Sequence, residues 1–100
     1  MSKKRLPPVH PGEILREEFM LPLALSSNAL AAALGLTATR VNDIVREKRG
    51  ISADTALRLA RYFSTSAEFW MNLQKSYELD VAAREVGGAI EKTVRPRAVA

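Results

Sequence analysis

Apolar residues recur along the chain at three- and four-residue spacing, and no stretch sustains the period-two alternation of a half-buried strand. The pattern predicts five helices. The first starts at Pro11, where a missing N–H loses nothing, and runs to about Leu21, with Leu15 and Phe19 on one face and Pro22 as the stop. Glu13, Glu17 and Glu18 suit the positive end of its dipole. A second helix begins at Ser26 or Ser27, whose hydroxyls can cap free N–H groups, and passes through Leu30, Ala31 and Leu34 to Gly35. Thr37 caps a third over roughly residues 38–47, with Val41, Ile44 and Val45 turned inward and Lys48-Arg49-Gly50 ending it. Ser52 caps a fourth over 53–63, where Ala56, Leu59, Ala60 and Phe63 recur at helical spacing. Thr65 and Glu68 have capping-box spacing for a fifth over about 66–86, which Gly87-Gly88 closes. Phe69, Leu73 and Tyr77 stack along that helix with Trp70 beside them, as core or dimer seam. The expected organisation is a basic, Pro-rich tail over 1–10, one helical domain over 11–86 and a basic flexible tail over 87–100.

Composition narrows the class. At 100 residues with 47% hydrophobic positions, the chain has room for one core. It has no cysteine, which excludes a disulfide scaffold, thiolate zinc sites and cysteine catalysis. No apolar run approaches the roughly 20 residues that span a bilayer. The basic start Lys3-Lys4-Arg5 is followed by Pro7, Pro8 and Pro11 where a signal peptide would be apolar, so the expectation is a cytoplasmic protein with no membrane partner. The single histidine, His10, sits beside a proline ahead of the first helix and reads as a capping or surface residue. With no partner cluster for it, no metal, no cofactor and no enzymatic activity are expected.

The formal net charge of +4 is unevenly placed. Residues 1–11 and 92–100 carry three cations each and no acid, whereas residues 12–91 carry nine cations and all 11 acids. Within that block, residues 40–61 are locally +3, through Arg40, Arg46, Lys48, Arg49, Arg58 and Arg61 against Asp43, Glu47 and Asp54. Both flanks are acidic.

That basic middle coincides with a tight αα corner, Gly35-Leu36-Thr37, of the helix-turn-helix kind. In SNALAAALGLTATRVNDIVR, Ala31 falls where the helices approach, Gly35 at the turn, and Leu30, Leu34, Leu36, Val41 and Ile44 at buried positions. On pattern alone, a small bundle whose hairpin merely resembles the motif is the alternative. If the third helix reads DNA, its outer face shows Thr37, Ala38, Thr39, Arg40, Asn42, Asp43 and Arg46 to base edges. Asp43 either accepts from a cytosine amino group or pairs locally with Arg40 or Arg46. Lys48 and Arg49 lie past the helix end, and Ser27 and Asn28 lie at a helix N-terminus, where each pair can meet phosphates.

The chain resembles the HigA-type antitoxins, the VapI-like group within the Xre helix-turn-helix family. The segments that carry the likeness are HPGEILREEF, LAAALG with RVNDIVREKRGI, and SADTALRLARYFSTSAEFWMNLQKSYEL, from about His10 to Ala83. The resemblance implies an all-α fold, a five-helix bundle with a helix-turn-helix of the lambda-repressor-like DNA-binding kind. It also implies a homodimer that binds a palindromic operator in its own promoter, and neutralisation of an RNA-cleaving toxin of the HigB/RelE type. The dimer seam is expected on the fourth and fifth helices. A stand-alone Xre-type regulator without a toxin is the second reading, and an adaptor that no longer binds DNA is a third.

Overall fold

A computed structural model of the chain describes residues 6–98, and among these every regular element is helical. Helix α1 (Pro11–Ile14) continues as a π-helical segment (Leu15–Met20), followed by α2 (Ser27–Leu34), α3 (Ala38–Val45), α4 (Ala53–Phe63) and α5 (Ala67–Thr93). This is the all-α, five-helix architecture expected. None of these helices is long and apolar enough to cross a membrane.

Side chains cap each start. Ser26, Thr37 and Ser52 accept from the N–H groups of Ala29, Arg40 and Thr55 at 3.0, 3.1 and 3.3 Å. Histidine takes the same role at α1, where His10 Nδ1 accepts from Gly12 N at 2.8 Å. The fifth helix departs from expectation at its start: Ser66 is the cap and accepts from Phe69 N at 3.0 Å. Thr65 Oγ1 instead accepts from Trp70 Nε1 at 2.8 Å, so a tertiary partner has taken the hydroxyl that local spacing favoured.

Three helix bodies also differ. After Ile14 the first helix widens, with Leu21 N bonding Arg16 O across five residues at 3.0 Å. Widening brings Leu15 and Met20 into register, and both are buried while Phe19 is half-buried. The third helix ends at Val45, closed by Glu47 in the left-handed region (φ 63°) rather than by Gly50. The fifth continues through Gly87-Gly88 to Thr93, so its expected end at residue 86 is wrong. Neither glycine has a positive φ. Two helical glycines cost only about 1 kcal/mol each relative to alanine, which the neighbouring Ala82, Ala83, Ala89, Ile90, Glu91 and Lys92 can carry.

The core gathers Leu15, Leu30, Val41, Ile44, Ala56, Leu59 and Trp70. Helix α1 packs on α3 and α5, α2 on α3 and α4, and α4 on α5. The aromatic stripe of α5 packs mainly within the chain, with Trp70 at its centre and Phe69 still 38% exposed. Trp70 is fully buried among Phe19, Phe63 and Phe69, with ring centroids 4.9, 6.4 and 5.0 Å away. Leu73 packs on the core, and Tyr77 stands edge-on to His10 at 4.7 Å. Beyond Gln74 nothing in α5 is buried, and its outer half extends the molecule to 55 Å. Residues 6–10, expected as part of a tail, run against α5: Leu6, Pro7 and Val9 line a groove with Leu73, Tyr77 and Arg84, and Arg84 donates to the Leu6 carbonyl. Lys3, Lys4 and Arg5 lie outside the described residues.

Candidate nucleic-acid interface

The α2–α3 corner is built by its glycine. Gly35 adopts φ 68°, which an L side chain rarely tolerates, and lets Leu36 N close back on Ala31 O at 2.9 Å. Arg58 from α4 then reaches the carbonyls left over, with Nη1 donating to Leu34 O at 2.8 Å and to Gly35 O at 3.4 Å. Its Nε bonds Asp54 at 2.7 Å, and that hydrogen bond holds the Asp54 carboxyl below its ordinary range, an effect to which Arg40 adds. Arg58 belongs to the turn's scaffold.

The corner brings the N-termini of α2 and α3 side by side. Ser26, Ser27, Asn28, Ala38, Thr39 and Asn42 line one open cleft of about 340 Å³. Thr37 stands exposed at its edge as the α3 cap. Val41, Ile44 and Val45 are buried as expected, which turns Thr39, Asn42, Asp43 and Arg46 outward. Arg40 is half-buried on the flank facing Asp54 in the first turn of α4. Asp43 pairs with neither Arg40 nor Arg46; its carboxylate lies 3.9 Å from Arg49, past the helix end. Arg49 and Lys48 are exposed. The residues expected to face DNA thus lie along the cleft, on the outer face of α3 or on the segment that follows it, except Arg40, which sits half-buried on the flank toward α4. A face of hydroxyls, amides and guanidinium groups beside two helix N-termini is suited to phosphates and base edges.

Four residues that support this face carried no sequence signal of doing so. Gly12 lies so close to α3 that a Cβ there would fall 1.8 Å from the Ile44 carbonyl oxygen. Arg16 donates to the Val45 carbonyl and, at 3.4 Å, to the Glu47 carboxylate. Gln74 accepts from Ile51 N at 2.7 Å. By sequence Arg58 is no more than one of the six cations of residues 40–61.

Comparison with known proteins agrees with this geometry. Residues 15–70 match the family described as Helix-turn-helix. The chain is 54% identical over 84 residues to Virulence-associated protein I of Dichelobacter nodosus, covering 84% of this chain and 78% of that protein. It is similar to the Pseudomonas aeruginosa antitoxin HigA, solved with the higBA promoter, at TM-score 0.89 and 57% identity, covering 91% of this chain and 99% of that one. The antitoxin GraA, solved in complex with its operator, matches at TM-score 0.88 and 47% identity over 100% of both chains.

Proposed function

This chain belongs to the helix-turn-helix family, alongside its HigA-type antitoxins, and from that membership we propose that it is a repressor that binds its own operator and neutralises an RNA-cleaving toxin. It acts in the cytoplasm as a binding protein rather than an enzyme. The observation that carries the reading is the cleft shared by the N-termini of α2 and α3, on a fold whose relatives were solved on promoter and operator DNA. In this reading Thr39, Asn42 and Arg46 meet base edges, with Thr37, Ala38, Arg40 and Asp43 beside them. Ser27, Asn28, Lys48 and Arg49 meet phosphates.

Two α3 helices read successive major grooves only if the protein is a dimer, with half-sites about one helical turn, roughly 34–36 Å, or a multiple apart. Trp70 and Leu73 pack on the chain's own core, so we place the seam on the opposite side of that helix. There Leu79, Val86 and Ile90 recur at helical spacing and are 64%, 46% and 50% exposed. A joint Leu79→Glu, Val86→Glu variant is expected to sediment as a monomer and to lose cooperative operator binding. The reading face is tested by footprinting on the DNA upstream of the gene, with an Arg40, Asn42 and Arg46 triple alanine variant. Loss of the footprint is expected; unchanged affinity would overturn the assignment.

A further inference from the structure

We infer that Arg16 and Gln74 are positioning residues for DNA contact: from the π-helical segment that continues α1 and from α5, outside the α2–α3 corner, they hold the two ends of segment 45–51, which carries Arg46, Lys48 and Arg49. The inference rests on the operator-binding reading above and adds the device that shapes one part of its surface.

The segment needs such a device because its own sequence does not stiffen it. Residues 46–50 are all exposed, and no regular structure follows until α4. At the near end, α3 stops and leaves the Val45 carbonyl without an intrahelical donor. Arg16 Nη1 donates to that carbonyl, and Nη2 reaches Glu47 Oε2 at 3.4 Å. Glu47 holds φ at 63°, a conformation that persists in a residue with a side chain only where its surroundings over-determine it. Lys48 N bonding Asp43 O at 2.8 Å completes the reversal. At the far end, the N–H of buried Ile51 donates to Gln74 Oε1 at 2.7 Å, and Gln74 Nε2 donates to Glu78 Oε2 at 2.7 Å. Gln74 is only 9% exposed, and a Cβ on Gly50 would fall 2.7 Å from its amide. Gly50 has no positive φ, and its missing Cβ leaves the Gln74 amide room to sit where it bonds Ile51 N.

Fixing both ends matters because a phosphate contact is a matter of place as well as charge. Cations on a loose segment still attract DNA of any sequence through screened Coulomb forces. Only cations held in register with α3 release counterions at defined phosphates while the helix reads bases. The clamp therefore acts on specific binding and leaves non-specific binding alone.

The test compares Arg16→Met, Gln74→Leu and Glu47→Gly with the unaltered chain. Affinity for a labelled duplex from the chain's own upstream DNA, and for a scrambled duplex, is measured across salt at a temperature where circular dichroism shows each variant folded. Expected for each variant is about a tenfold loss on the upstream duplex and a salt slope smaller by about one, with no change on the scrambled duplex. Glu47→Gly is the sharpest arm. It removes an acid from a basic segment and suits the backbone at φ 63°, so electrostatics alone predict tighter binding and a folded protein, whereas the clamp predicts weaker specific binding. It also serves if Gln74→Leu fails to fold. Variants that keep the affinity and slope of the unaltered chain would overturn the clamp and leave operator binding standing. An unaltered chain that binds both duplexes equally would overturn both.

Discussion

Alanine at Gly12 and alanine at Gly88 are the same substitution in two helical settings, and the structure gives them opposite signs. At Gly12 the new Cβ would sit 1.8 Å from Ile44 O, 2.9 Å from Ile44 C and 3.0 Å from His10 Nδ1. The first two are backbone atoms, so no side chain can rotate away. Moving the closest pair to 3.0 Å, below which real Cβ atoms are essentially never found, requires α1 and α3 to part by about 1.2 Å. That separation overpacks the core and stretches the Arg16 bond to the Val45 carbonyl. Overpacking costs about 1–3 kcal/mol and a charge-assisted hydrogen bond contributes about 1.5–3 kcal/mol, against at most about 1 kcal/mol gained in helix propensity. The net loss is about 2–4 kcal/mol, or about 10–20 °C in Tm for a domain of this size. A Cβ at Gly88 would meet nothing within 4 Å, and the residue lies inside α5 without a positive φ. Alanine there is expected to stabilise the outer half of α5 by about 0.5–1 kcal/mol. Thermal unfolding by circular dichroism reads the first change. Amide hydrogen exchange over residues 84–93, slowed about two- to fivefold, reads the second. A Gly12→Ala variant as stable as the unaltered chain would refute the close approach of α1 to α3. Unslowed exchange in Gly88→Ala would refute the helix beyond Val86.

Trp70→Ala removes the residue around which Phe19, Phe63 and Phe69 are arranged, and an expected loss of about 3–5 kcal/mol in urea unfolding follows from its complete burial; a loss below about 1 kcal/mol would contradict that burial. His10 has its pKa lowered from 6.5, chiefly by burial, so the unfolded chain binds its proton more readily. The stability this contributes is fully present above pH 6.5 and falls as pH drops from 6.5 to the lower folded value, where protonation of Nδ1 breaks the cap on Gly12. His10→Asn, which keeps an acceptor, should flatten that part of the pH–stability curve, and parallel curves would exclude the role. Arg58→Ala should destabilise by about 1 kcal/mol through the uncapped Leu34 carbonyl. The same variant should raise the Asp54 pKa toward 3.8 in a carboxyl NMR titration, and an unmoved titration would count against the pairing.

What the sequence made legible was local. Ser26, Thr37 and Ser52 each needed only the next three residues to act as caps, and Gly35 needed only its own missing Cβ, so α2, the start of α3 and all of α4 were readable. The misreadings arose where a distant residue decided the outcome. Thr65 lost its local role to the Trp70 indole, and Glu47 ends α3 with Arg16 holding it from another helix. Gly50 reads as a helix stop, whereas α3 ends five residues earlier at Val45 and the Gln74 amide lies against Gly50. At the candidate interface, helical period alone turned Thr39, Asn42 and Arg46 outward. It could not tell Arg58, bonded to the corner's carbonyls, from Arg46, exposed on the face.

Pairing sharpens the local +3 of residues 40–61 into a different quantity. Each of the three acids in that stretch has a guanidinium within 4 Å: Asp43 with Arg49, Glu47 with Arg16, and Asp54 with Arg58. Arg16 comes from outside the stretch and is shared, at 2.9 Å from Glu17 and 3.4 Å from Glu47, so it offsets part of the Glu47 charge that the count over residues 40–61 leaves unopposed. Arg40, Arg46, Lys48 and Arg61 have no side-chain partner among the described residues. Three of them lie on α3 or the segment after it. Exposed pairs of this kind add little stability, and their consequence is electrostatic. An approaching phosphate meets unpaired cations at short range and acids whose fields are already largely cancelled. At physiological ionic strength charges beyond about 8 Å are screened, so it is this short-range arrangement, and not the protein's overall net charge of +4, that favours the α3 face for nucleic acid.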